Sequence, residues 1–354
     1  MKRLLFVVMA LVLLVAACTP SGGSTPTEEA TPVLRVMTHD SFSVSEAVIA
    51  RFEQEHHVKV QFLQAGDAGA MLSQAILSRD NPQADVLYGV DNTFLSRALE
   101  ADLFIPYRPQ GLENVPAELQ LDPQSRVVPV DYGDVCLNYD KAYFEAHHLA
   151  VPQDLADLTD PAYRGLLVVE NPATSSPGLA FLIATVGRFG EEGYLDFWRA
   201  LVANDVRVVD GWETAYYTEF SGGAYSEGKR PLVVSYATSP AAEVYFSEGK
   251  LDAPPTGAVV APQTCFRQIE FAGILRGTKQ EALARAFLDF LLSDDFQNDI
   301  PLQMWVFPAS RTAKLPPVFA DYALEAEEPV AVPYAQIEAE REAWIRAWTE
   351  VVLH

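Results

Sequence analysis

Short apolar segments alternate with amphipathic ones through the first hundred residues, and this alternation restricts the fold more than any other feature. VLRVMTHDSF at 33–42 reads as a strand running into a loop, SEAVIARFEQEH as a helix with Ser45 placed as its cap, and VKVQFLQ as a second strand. AGAMLSQAILSRD, ADVLYGV and TFLSRALEADLF then repeat the order helix, strand, helix. A β-α-β-α order predicts an open parallel α/β sheet, whose ligands sit beyond the carboxyl ends of the strands. His39, Asp40, Ser41, Asp67 and Asp91 fall at those ends, where each serves equally well as a helix cap.

Residues 131–264 carry their own strands and helices in LLVVE, GLAFLIATVGRFG, GYLDFWRALVAND and PLVVSYA. The chain then returns to helix in KQEALARAFLDFLLSDDFQNDI and in YAQIEAEREAWIRAWTEVVLH, whose apolar positions recur at helical spacing. Two crossings, near DYGDVCLNYD and FRQIEFAGILRG, would divide the chain into one lobe of 33–130 with 265–354 and another of 131–264. Such a division implies a hinge and a ligand cleft between the lobes.

The start of the chain sets the compartment. Met1, Lys2 and Arg3 precede a wholly apolar run at 4–17 that is too short for an ordinary membrane span, and VAAC places small residues before Cys18. This predicts a signal peptide at 1–17, lipidation on Cys18 and a Pro/Gly/Ser/Thr-rich tether at 18–32. The product would be exported and lipid-anchored at the outer face of the cytoplasmic membrane or in the periplasm. A formal charge of −23 disfavours nucleic acid and fits either a cationic ligand or a solubilising surface.

Cys136 and Cys265 remain in the mature chain, and the exported setting leaves two options, a structural bridge or two buried thiols. Their spacing and the lack of nearby histidine make no zinc pattern. His56-His57 and His147-His148 sit in polar helix-end or loop contexts and read as surface residues. Phosphate-loop, dinucleotide, zinc-protease and nucleophile-elbow signatures are missing, so the chain is expected to be no enzyme, with no cofactor and no metal. An exported hydrolase is the remaining catalytic rival.

Three stretches look built for recognition. NPATSSPGLAFL puts Ser176 at a helix start with Pro177 in the first helical position, where free N–H groups face outward; plain capping explains the same residues. VVSYATSP leaves Tyr236, Ala237, Thr238 and Ser239 at a strand end. Trp212, Tyr216, Tyr217 and Trp305 supply rings that suit a delocalised cation or fill a core. Trp212 follows Gly211 outside helical core spacing and is expected to face ligand, whereas Tyr216, Tyr217 and Phe220 are expected to pack against the lobe.

GVDN at 89–92, VPVDYG at 128–133 with NYDK after it, TSSPGL, GWETAY, LVVSYATSPA and FQNDIPLQMWVFPA occur together and in this order. In that the chain resembles the thiamine-binding periplasmic proteins of ABC transporters over nearly all of its mature length. The resemblance implies the two-lobed, type II-like periplasmic binding protein fold. It also implies a monomer that captures thiamine or its phosphate esters and delivers it to a permease coupled to an ATPase. Carried over residue by residue, it implies ligand contacts at Asp67 with Ala68, at Ser175 and Ser176, at Trp212, at Tyr236 through Ser239 and at Trp305. Asp67 would pair with the aminopyrimidine, and the two serines would receive the hydroxyethyl or phosphate end.

Departures from the pattern bear on specificity. His39 stands where the family has the tyrosine of its YDSF motif, the tryptophan that follows that motif is missing from SFSVSEAV, and Ala242 replaces the tyrosine after TSPA. Tyr245 is the nearest replacement ring in sequence. A same-fold protein for a related pyrimidine, an organic anion or a ferric ion is the alternative; a metal would need clustered Tyr, His or acids in the cleft.

Overall fold

In the computed structural model the apolar runs form, among the described residues, eleven strands: β1 (Val33–Thr38), β2 (Lys59–Gln64), β3 (Val86–Asp91), β4 (Phe104–Ile105), β5 (Val128–Asp140), β6 (Leu167–Glu170), β7 (Arg207–Val209), β8 (Leu232–Tyr236), β9 (Thr256–Val259), β10 (Phe266–Leu275) and β11 (Phe307–Pro308). The structure describes residues 31–224 and 226–354. The expected signal peptide, Cys18 and nearly all of the tether lie outside the described residues.

The main path through the sheet is β2-β1-β3-β10-β5-β8-β6-β7. β2, β1 and β3 are parallel, as are β8, β6 and β7, and the two parallel sets are joined through antiparallel β10 and β5. β5 joins them because of its length. Its first part, Val128 to Val135, pairs with β10, while Val135 to Asp140 pairs with β8 and β9. The chain thus forms a two-lobed α/β fold of the type II-like periplasmic binding class, with β5 and β10 as its crossing strands.

A disulfide joins Cys136 to Cys265, which resolves the open choice between bridge and thiols. Cys136 follows the last β5 residue paired with β10, and Cys265 directly precedes β10, so the bridge ties the crossing strands where they enter the second half.

Apolar packing covers both faces of the sheet. β3 is buried at every residue, as a strand covered on both sides must be. Phe52, Phe287 and Leu291 from the helices Glu46–His56 and Glu281–Leu291 pack with Val36 and Val86 from the sheet. On the other side, Trp198 of the helical stretch Ser176–Ala203 meets Trp348 of the helix Tyr334–Val352 edge to face, centroids 5.5 Å apart, and both rings are almost wholly buried.

GLAFLIATVGRFG and GYLDFWRALVAND are two helices, as expected, within the stretch Ser176–Ala203; the break is at Gly190, whose φ of 74° and ψ of 169° only glycine adopts cheaply. Capping differs from the sequence expectations. The cap of the first of these helices is Ser175, extended at φ −114° and ψ 136°, whose hydroxyl accepts the Gly178 N–H; Ser176 is already helical. Ser45 occupies the cap position of its helix without a side-chain bond, and its backbone N–H donates instead to Asp299 Oδ2 at 2.8 Å.

Candidate functional site

A cleft of about 340 Å³ opens where the carboxyl ends of the parallel strands meet the crossing strands. His39 follows β1, Asp67 follows β2, Tyr236 ends β8, and Asp131 and Glu270 face it from β5 and β10. Of the expected contacts, His39, Asp67, Ala68, Ser176, Trp212, Tyr236, Ser239 and Trp305 line the cleft. Ser175, Ala237 and Thr238 are wholly buried behind the lining. Thr238 Oγ1 donates to the Trp305 carbonyl, and the Ala237 N–H donates to the Asp134 carbonyl at 2.9 Å.

Asp67 sits among three helix N-termini, that of its own helix included. Its Oδ1 accepts the N–H of Ala68 at 2.6 Å and of Ser176 at 3.3 Å, and its Oδ2 accepts the N–H of Trp212 at 3.1 Å. The N–H groups of Gly69 and Ala70 donate to the Thr174 carbonyl, at 3.0 and 3.3 Å. A side chain at Gly69 would put its Cβ 2.9 Å from the Ala173 carbonyl oxygen, which is why glycine permits this approach. Burial raises the Asp67 pKa even though the N–H groups of Trp212 and Ala68 and the Ser175 hydroxyl pull it down. The protein's own carboxylate therefore satisfies the helix-start donors expected to meet a ligand anion. The same contacts engage the carboxylate expected to pair with an aminopyrimidine.

On the cleft floor, Asp131 and Glu270 are direct register partners in the β5–β10 ladder. Burial pushes Asp131 well above the usual carboxylate range, and Glu270 adds repulsion; the Tyr88 hydroxyl, donating to Asp131 Oδ2, opposes both. His39 Nε2 lies 3.2 Å from Glu270 Oε1 without alignment for a hydrogen bond, so the pair is a contact ion pair. Burial alone would lower the imidazole pKa; Glu270 overrides it, with Asp67 and Asp131 behind, and raises it to about 9. Gly89 makes room for the ring, since a Cβ there would lie 2.4 Å from His39 Cδ2. A chain of bonds continues beside this pair: the Tyr236 hydroxyl donates to Gln268 Oε1, Gln268 Nε2 donates to Ser176 Oγ, both at 2.8 Å, and Ser176 Oγ donates to Asp91. Burial raises Asp91 to about 6.

Aromatic rings form the walls. Trp212 stacks on Tyr216 at 5.1 Å and 22°, meets Tyr217 edge on at 5.5 Å, and donates its indole N–H to Ser235 Oγ at 2.9 Å. Tyr216 is buried yet reaches the cleft, its hydroxyl donating to Glu243 Oε1 at 2.7 Å; Tyr217 is half exposed and also lines it. Phe220 stays in the core. Opposite, Trp305 packs on Phe246 and Tyr245 at 5.4 and 5.3 Å; Ala242 and Phe246 line the cleft and Tyr245 does not.

Asp131, Gln268 and Glu270, together with Glu213 and Glu243, went unnamed from sequence. The first three become neighbours through antiparallel pairing of distant strands, and no local pattern marks them. Among the described residues lining the cleft, five are Asp or Glu, one is His, and none is Lys or Arg.

Residues 81–335 match the family model described as bacterial extracellular solute-binding protein. The chain belongs to that family. Within it, this solute-binding protein groups with the thiamine-binding periplasmic proteins: it is 32% identical over 331 residues to the one from Salmonella typhimurium, spanning 91% of this chain and 94% of that one. A solved periplasmic thiamin binding protein superposes with a TM-score of 0.80 at 28% identity, over 92% of this chain and 97% of that one. Iron-bound HitA from Pseudomonas aeruginosa shares the fold, with a TM-score of 0.72 at 19% identity over 90% and 99% of the two chains.

Proposed function

We propose that this solute-binding protein captures thiamine and hands it to an ABC permease driven by an ATPase, without chemistry on the ligand. The observation that carries the reading is a cleft walled by Trp212, Tyr217, Tyr236, Phe246 and Trp305 and lined by five acids with no Lys or Arg, in a chain whose relatives are thiamine-binding periplasmic proteins. A thiazolium is a delocalised cation, and each well-placed ring face attracts such a charge by about 0.5–2 kcal/mol. Trp212, Tyr236 and Trp305 supply ring faces, Asp67 and Ser176 hold the floor, and His39 and Ser239 add polar groups. Ala68 completes the lining, and Ser175, Ala237 and Thr238 position these groups from beneath. The acid-rich lining favours free thiamine over its phosphate esters, because each phosphate would enter without a cationic partner.

Ferric ion is the weaker reading: iron-bound HitA shares the fold at 19% identity, against 32% for a thiamine-binding relative. Cleavage before Cys18 and lipidation of its thiol would keep the monomeric protein at the membrane, with 33–130 and 265–354 forming one lobe and 131–264 the other. Capture follows from differential affinity, the ligand binding the closed form better than the open one.

The test is calorimetric titration, after unfolding and refolding to strip carried ligand, with thiamine, thiamine phosphate and thiamine diphosphate. One-to-one binding with thiamine tightest is expected. Silence with all three from folded protein would remove thiamine as the ligand. Intact-mass analysis of the membrane-extracted protein tests the lipid on Cys18.

A further inference from the structure

Most polar groups on the cleft floor already have partners. Asp67 is surrounded by three backbone N–H groups, Asp131 accepts the Tyr88 hydroxyl, and Gln268 joins Tyr236 to Ser176. His39 differs: its Nε2 is buried, lines the cleft and has no aligned acceptor. Glu270, whose Oε1 lies 3.2 Å from His39 Nε2, lines the cleft beside it and shares a side-chain hydrogen bond with Asp131. A carboxylate has about four lone-pair sites, so a donor and an acceptor stand side by side at the cavity with capacity left for a ligand.

We propose that His39 and Glu270 together read the edge of a 4-aminopyrimidine, the imidazole N–H donating to the ring nitrogen next to the amine while the Glu270 carboxylate accepts from the amine. The inference rests on the thiamine reading, since thiamine carries this edge on its pyrimidine. Adjacent donor and acceptor atoms on the ligand match adjacent acceptor and donor on the protein. The pyrimidine would lie on the floor with its methylene bridge directed to the thiazolium between the aromatic walls. Held by that bridge, the pyrimidine cannot turn over to exchange the two edge positions.

Oxythiamine, in which a carbonyl replaces the amine and the adjacent ring nitrogen carries hydrogen, presents the reversed pattern. Calorimetry on the full chain with thiamine and oxythiamine should show at least a tenfold preference for thiamine, because a mismatch leaves buried polar groups unpaired. In Glu270→Gln the side-chain amide can offer either its oxygen or its NH₂, so the preference should fall to within about threefold. His39→Gln should narrow it in the same way and serves as the second variant if Glu270→Gln fails to fold; thermal unfolding checks both. Equal binding of thiamine and oxythiamine by the wild type, or an undiminished preference in a folded variant, overturns the inference and leaves thiamine as the ligand. No binding of either compound by folded wild type overturns the ligand reading and the inference together.

Discussion

The carboxylate of Asp67 accepts the backbone N–H of Trp212 at 3.1 Å across 145 positions of sequence. The same carboxylate holds the N–H of Ser176, so one side chain from the first parallel set fastens two helix starts on the far side of the cleft. Asp67→Ala leaves three N–H groups without their acceptor, at a cost of order 1–3 kcal/mol for a buried group. Thiamine affinity should fall at least tenfold, and small-angle scattering of the ligand-free variant should give a larger radius of gyration than wild type. An unchanged radius and affinity would show that Asp67 does not act as a latch.

Trp212→Ala removes a ring that stacks on Tyr216 and bonds Ser235 at the cleft wall. Loss of one cation–π face of about 0.5–2 kcal/mol corresponds to roughly 2- to 30-fold weaker thiamine binding. Trp212→Phe, which keeps a ring but loses the indole N–H, should lie between. Fluorescence titration reads both; unfolding of Trp212→Ala with normal affinity in its folded fraction would assign the ring to packing.

Much of this arrangement was legible in the sequence. The β-α order located β1 to β3 and hence His39 and Asp67 at strand ends, because apolar periodicity is a local property. Trp212 stood out because it follows Gly211 rather than falling on a helix stripe. Glu270 and Asp131 were invisible for a physical reason: they meet only through antiparallel register between β5 and β10, which nothing local encodes. Tyr216 was misleading for a related reason, since it packs in the core and lines the cleft at once.

Stability should decline as pH rises. The His39 pKa, lowered by burial but raised more by Glu270, moves from 6.5 to about 9, so its stabilisation is whole below 6.5 and lost as pH passes 9. At 1.36 kcal/mol per pH unit the difference comes to about 3 kcal/mol. Asp91, raised by burial from 3.8 to about 6, acts in the same direction between those values, since the folded state keeps a proton that the unfolded state releases. Thermal unfolding should show Tm dropping by several degrees between pH 6.5 and 9, and His39→Gln should flatten that part of the curve. A wild-type Tm that is level across this interval would mean the His39–Glu270 ion pair is not formed in solution.

Reduction of the Cys136–Cys265 bridge releases a closure spanning 129 positions. Chain entropy predicts a loss of about 2–5 kcal/mol, toward the upper end for so long a loop. Denaturant unfolding with and without dithiothreitol, and of the Cys136→Ser/Cys265→Ser double variant, should give that difference at low temperature. Equal midpoints would mean that β5–β10 pairing alone holds the crossing.

Residues 137–264 leave and rejoin the rest of the chain at this one bridge, where the two Cα atoms stand 4.4 Å apart. For an engineer the middle region is thus a cassette with adjoining ends. A fluorescent reporter inserted in one of its outer turns would leave that stapled junction untouched, whereas a segment exchanged for that of a relative would also have to keep the Trp198–Trp348 contact and the Asp67 bonds to Ser176 and Trp212.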